Sequence, residues 1–202
     1  MKVALIGATG RVGSRLAAEL VSRGHAVTGI AQHIPTQPLA GVTVIRGDAT
    51  NPDTLAPQLA GHDAVISATR FVTADADALV VAVKAADVKR LLVVGGAGSL
   101  EVAPGKMLLE SEGFPEAFKA EAQAGARFLE RLRSERDVDW TFLSPSAEFA
   151  PGERTGRFRL GGDRLLTDAA GKSHISMEDF AIAMIDELER PAHSRRRFTV
   201  GY

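Results

Sequence analysis

Short apolar runs alternate with longer amphipathic stretches along the chain. The run Val3-Ala4-Leu5-Ile6 is too short for a helix and stops at Gly7, which predicts a buried strand. From 11 to 23 the apolar positions Val12, Leu16 and Leu20 recur every four residues on one helical face, and Gly24 supplies a terminating glycine. Further strands are predicted at 26–31, 42–45, 64–66, 91–94 and 140–143. Asn51-Pro52 opens a second helix, a capping side chain followed by proline at the first helical position. Helices are predicted over 75–86 and 115–134. Met177, Phe180, Ala181, Met184, Ile185 and Leu188 mark a last one at helical spacing. Residues 95–113 read as a long loop over the sheet edge, 145–171 as short strands and turns, and 197–200 as a final strand. Strand–helix alternation implies parallel strands joined by helical crossovers, hence a doubly wound α/β sheet. Ligands of such sheets lie beyond the carboxyl ends of the strands, so the loops after the fifth and sixth strands are the expected substrate walls.

The chain has 202 residues, one large domain spanning 1–202, with 145–175 forming a small substrate-side loop region. A formal net charge of −1 gives no broad attraction to nucleic acid or an anionic membrane, and neither is expected as a partner. There is no cysteine, which excludes disulfides, thiolate nucleophiles and cysteine-held metals. No histidine pair has metal-ligand spacing, so no catalytic metal is expected. The first apolar run is too short for a signal peptide, and no stretch approaches the roughly 20 apolar residues of a membrane span. A cytoplasmic location is expected, as a monomer or a homodimer.

The segment Gly7-Ala8-Thr9-Gly10-Arg11-Val12-Gly13 carries G-x-x-G-x-x-G directly after a strand and at the opening of a helix. That context turns a weak glycine pattern into a phosphate-binding loop of the Rossmann, NAD(P)-binding type. Gly7 allows the turn, Gly10 lets backbone approach a pyrophosphate, and Gly13 lets helix and strand pack closely. The helix N-terminus adds free N–H groups and a positive dipole end. NAD-specific sites place an acid after the second strand, where this chain has Ala31-Gln32-His33. Missing repulsion toward a 2′-phosphate, together with Arg11 in the loop, leans toward NADP(H) and leaves NAD(H) open. Asp48 can accept from an adenine amino group while Ala49 packs on the ring; a turn aspartate is the competing role. Ala68 and Thr69 after the fourth strand, Gly95 and Gly96 after the fifth, and Ser144 and Pro145 after the sixth complete the expected cofactor groove.

The chain has one tyrosine, Tyr202, and therefore no Tyr-x-x-x-Lys pair of the usual short-chain dehydrogenase. Hydride transfer remains open to an acceptor that needs no enzymatic acid. An oxidised flavin is one: proximity and orientation of two rings supply the catalysis, and water supplies the proton. Ser99 and His174 are weak catalytic candidates; Lys119 has Pro115 four residues before it and is expected at the surface. Arg195-Arg196-Arg197 reads as a solvated turn.

Five segments together resemble a known family. They are KVALIGATGRVGSRL around the glycine loop, Gly47-Asp48-Ala49-Thr50, the run from Val93 to Leu100, the run from Asp139 to Pro145, and Gly152-Glu153-Arg154-Thr155-Gly156 with Leu160-Gly161-Gly162-Asp163. In combination they are similar to the atypical short-chain dehydrogenase/reductase group of NmrA-like and biliverdin-reductase-B-like proteins, and most to bacterial NADH–flavin reductases. The resemblance covers nearly the whole chain. It implies a nicotinamide–flavin reductase in which free FMN, FAD or a quinone-like flat aromatic acceptor takes the hydride. It carries the cofactor loop onto Gly7, Gly10, Arg11 and Gly13 and the adenine contact onto Asp48. Members often carry an arginine shortly after the second strand, where this chain has Gln32. The alternatives are an NmrA-like redox sensor that binds the dinucleotide without turnover, and an epimerase or dehydratase with a non-standard acid among Ser99, Lys119 and His174.

Overall fold

In the computed structural model, which describes residues 1–202, the strand–helix alternation becomes one large sheet with helices on both faces. The order along the chain is β1 (Lys2–Ile6), α1 (Arg11–Ser22), β2 (Ala26–Ala31), β3 (Val42–Arg46), α2 (Pro52–Leu59), β4 (Ala64–Ser67), α3 (Ala76–Ala85) and β5 (Arg90–Val94). Then come β6 (Glu101–Ala103), β7 (Lys106–Met107), α4 (Glu116–Arg133), β8 (Asp139–Ser144), β9 (Glu148–Ala150), β10 (Arg159–Gly161), β11 (His174–Ser176), α5 (Met177–Glu189) and β12 (Arg196–Gly201). The eight-stranded sheet runs β10-β12-β8-β5-β4-β1-β2-β3, parallel throughout except for β10 against β12.

The strands are apolar on both sides because both sides are covered. Val3 and Leu5 of β1 point to a layer built from Leu16 and Leu20 of α1 and Phe180, Met184 and Ile185 of α5. Ala4 and Ile6 point the other way, to Leu55 and Leu59 of α2, Leu79 and Val83 of α3, and Phe128 and Leu132 of α4. The chain turns from one side of the sheet to the other at β1, which lies between β2 and β4. This is the topological switch point, where a crevice opens beyond the strand ends.

Two expectations need correction. Residues 95–113 are not one loop: β6 and β7 pair as a hairpin, and Leu108–Glu110 makes a 3₁₀ turn. Such short strands show no periodicity; tertiary hydrogen bonds define them, including Glu101 N–H to the Asp163 carbonyl (2.8 Å) and Leu165 N–H to that of Glu101 (2.9 Å). Arg197 is not in a solvated turn either. It is the second residue of β12, and its side chain is only 3% exposed. In the 145–175 region the expected short strands are present: β9 pairs with β11, while β10 extends the main sheet.

Candidate active site

Gly7 follows β1 with φ +80°, a conformation that disfavours any side chain. A Cβ there would lie 2.7 Å from the carbonyl oxygen of Ala68, so the loops after β1 and β4 meet at backbone distance. Gly10 N–H donates to the Gly7 carbonyl (3.0 Å), closing the turn. Gly10 gives α1 no side-chain cap, and the first turn holds no acid, so its N–H groups and dipole face outward unopposed.

Beyond these loops lies a groove of about 400 Å³. Gly7, Thr9, Gly10, Gln32, Asp48, Ala49, Ala68 and Thr69 of the expected cofactor residues line it. Asp48 accepts from the Thr50 N–H (2.9 Å) and hydroxyl (2.7 Å) through one carboxylate oxygen. Those two donors hold its carboxyl below the usual range and keep it ionised. It is therefore a turn aspartate that also lines the groove. Gly13 and Val12 act behind the loop: a Cβ on Gly13 would stand 2.0 Å from the Gly7 oxygen, and Val12 packs on the core. Arg11 is exposed and outside the groove lining.

A second, more apolar cavity of about 470 Å³ adjoins the groove through the segment after β4, where Thr69, Arg70 and Thr73 line the groove and Phe71 lines the cavity. Its floor is the run from Gly95 to Ser99, and α4 forms a wall. Gly95 can only be glycine here, because a Cβ would meet the Phe142 ring at 2.4 Å. Phe71 is fixed from several sides. Its N–H donates to the Glu121 carboxylate (2.6 Å), its ring stacks on Phe142 (5.8 Å), and the bare Gly125 makes room for it. Phe118 stands on the cavity rim, 63% exposed.

Ser99 lines the cavity, and the feature behind it is Arg197, whose guanidinium reaches the Ser99 hydroxyl (3.3 Å) and carbonyl (3.4 Å) while pairing with Asp163. Burial pulls the Arg197 pKa below its ordinary value against the opposing pull of Asp163. His174 lies outside both spaces. It sits against the Tyr202 ring (5.0 Å), 3.8 Å from Asp168, in a separate depression. Lys119 pairs with Glu116 (2.6 Å) at the surface. Ser144 and Pro145 are buried, and the Ser144 carbonyl is taken by the Thr199 hydroxyl (2.8 Å); Ala147 reaches the cavity in their place. Tyr202, the one tyrosine, donates to Asp179 (2.7 Å) and is occupied structurally. No cluster of three or more potential metal ligands exists, and no helix is long and apolar enough to cross a membrane.

Residues 7–191 match the model of the NAD(P)H-binding family. A crystal structure from Burkholderia pseudomallei, called a "putative exported protein", is 48% identical, with a TM-score of 0.92 and full coverage of both chains. A "putative epimerase" from Bacteroides thetaiotaomicron is 43% identical over all of this chain and 96% of its own, with a TM-score of 0.93. A "putative NADH-flavin reductase" from Streptococcus pneumoniae is 36% identical over all of this chain and 99% of its own, with a TM-score of 0.84.

Proposed function

From the chain's membership of the NAD(P)H-binding family, we propose that this oxidoreductase reduces a flat aromatic acceptor, free FMN or FAD first, with NAD(P)H as donor. One observation carries the reading. The groove at the switch point and the more apolar cavity are lined by neighbouring residues of one segment, Ala68, Thr69, Arg70 and Thr73 for the groove and Phe71 for the cavity, which would set a planar ring beside a dinucleotide. The glycine loop suits a dinucleotide: Gly7 and Gly10 line the groove without side chains, and α1 begins there with no side-chain cap and no acid in its first turn.

A bound reduced nicotinamide would supply a hydride to the acceptor, and water would supply the one proton that completes its two-electron reduction. The protein's part is placement. Phe71, locked by Glu121, Gly125 and Phe142, offers an aromatic wall. Gly95, Gly96 and Ala97 offer a floor without bulky side chains, on which a flat ring could lie. Ser99, oriented by Arg197, and Ser111 are the hydroxyl side chains that line the cavity, and Ser99 is the one proposed to meet an acceptor carbonyl.

The name of the Bacteroides relative raises epimerase chemistry for this chain as well. That chemistry needs an acid/base pair in the cavity. The ionisable side chains there are Glu112 and Glu121, and Glu121 is already engaged by the N–H groups of Phe71 and Val72. Flavin reduction asks for no such pair. A cytoplasmic location goes with the proposal; the name of the Burkholderia relative makes cell fractionation the check.

The test is oxidation of NADPH and NADH by purified protein with and without FMN. Turnover that requires FMN is the expected result. Tight cofactor binding without turnover on flavins or quinones overturns it in favour of an NmrA-like sensor. Turnover of a nucleotide sugar with bound cofactor would establish the epimerase instead.

A further inference from the structure

A third space opens beside the adenosine end of the groove. It measures about 420 Å³ and shares Gln32, His33, Gly47 and Asp48 with the groove. Arg46, Thr54 and Gln58 complete its lining, and no apolar side chain contributes. A fully polar recess at the end of a dinucleotide groove needs a polar occupant.

Arg46 is the last residue of β3, in register with Ala31 at the end of β2. The loop after β2 brings no arginine or lysine, so the sheet register delivers the guanidinium from the neighbouring strand. Gln58 donates to the Arg46 carbonyl (2.9 Å) and fixes the backbone at that point. The bare Gly47 is what lets Gln58 lie there: a Cβ on Gly47 would be 2.3 Å from its Oε1. The Arg46 side chain is exposed, forms no ion pair and makes no hydrogen bond. The one carboxylate in the recess, Asp48, is turned to Thr50 through Oδ1.

Resting on the nicotinamide dinucleotide reading above, we propose that this recess is the 2′-phosphate site of NADP(H), with Arg46 as its specificity-determining cation. A guanidinium pairs with a phosphate through two parallel N–H···O bonds, a geometry a ribose hydroxyl cannot match. Gln32, His33 and Thr54 stand around it as further polar partners. Arg11, the cation suggested by the sequence alone, lies outside this recess.

The experiment measures NADPH and NADH dissociation constants for the wild type, Arg46→Gln, Arg46→Lys and Arg11→Gln, with 2′,5′-ADP and 5′-AMP as fragment probes. In Arg46→Gln the NADPH and 2′,5′-ADP constants rise about tenfold or more while NADH and 5′-AMP stay within about twofold. Arg46→Lys retains part of the preference, as a point charge without the fork. An unchanged NADPH to NADH ratio in Arg46→Gln overturns the assignment, as does a ratio that collapses in Arg11→Gln alone. If the wild type binds NADH and 5′-AMP but gains nothing from the 2′-phosphate, the recess proposal fails while the cofactor reading stands. If it binds none of the four, the cofactor reading itself fails.

Discussion

At Gly13 the constraint is a single distance. An added methyl would stand 2.0 Å from the Gly7 carbonyl oxygen, and backbone atoms of Gly7 and Ala8 surround it. Backbone cannot rotate away as a flexible side chain can, so α1 would have to back off from β1. Gly13→Ala is expected to cost about 1–3 kcal/mol of stability, the usual cost of overpacking, and to weaken NADPH binding about tenfold or more, since a small displacement of the loop spoils several phosphate contacts at once. Thermal melting and NADPH titration check it; a variant with wild-type melting and affinity would show that helix and strand need no such closeness. Gly24 is the contrast: a Cβ there meets nothing within 4 Å, although φ is +80°. The glycine spacing made the turn at Gly7 and the close helix–strand packing at Gly13 legible because the constraint is local. Arg46 and Arg197 were not legible. Their positions depend on strand register and on which residues lie across the sheet, and no local pattern encodes that.

At the level of elements, the long periodic segments were legible to within a few residues, since burying an apolar face leaves a period in the sequence. The β6–β7 hairpin and the pairing of β9 with β11 were not, because strands of two or three residues owe their form to distant partners. The start of α5 shows how such distant pieces meet. Ser176 caps the helix, accepting from the Asp179 N–H (3.0 Å) and donating to the Glu153 carbonyl (2.8 Å). Asp179 is fully buried, and its carboxylate accepts from Tyr202, Thr155 and the Gly156 N–H. Tyr202→Phe removes one donor to a buried carboxylate and should cost about 1–3 kcal/mol while leaving NADPH binding and turnover unchanged. Lost turnover would make Tyr202 catalytic after all. Burial raises the Tyr202 pKa, so the unfolded chain ionises first, near about pH 10. The associated stability is complete below that pH and falls as pH rises through the higher folded value. Because the chain has a single tyrosine, its ultraviolet absorbance reports this titration directly. Tyr202→Phe should lose this alkaline component of the stability profile.

Across the whole molecule, a parallel sheet separates two kinds of edge. The carboxyl ends of β1, β4 and β5 carry the glycine loops, the groove and the cavity. At the opposite edge, where β5, β8 and β12 begin, the chain concentrates a buried ion network. The Glu187 side chain, 3% exposed, accepts from Arg90 (2.9 Å), from the His193 ring (2.8 Å) and from the N–H groups of Ala192 and His193. Burial alone would raise its carboxyl pKa; the His193 and backbone donors outweigh that and hold it low. A depressed carboxyl pKa adds stability that is complete above the unfolded value of about 4.3 and is lost as pH falls through the folded value. Glu187→Gln leaves the buried Arg90 with only the more exposed Asp139 (3.3 Å) as counter-charge, and removing the buried member of such a network costs up to about 3–5 kcal/mol. The variant should melt lower at pH 7, show a shallower loss of stability on acidification, and bind NADPH with wild-type affinity once folded. Denaturant unfolding from pH 3 to 8, with cofactor titration at pH 7, separates these effects. Impaired cofactor affinity in the folded variant would mean that the two edges are coupled through the strands. An unchanged acid profile would mean that Glu187 is not among the carboxylates whose protonation unfolds the protein.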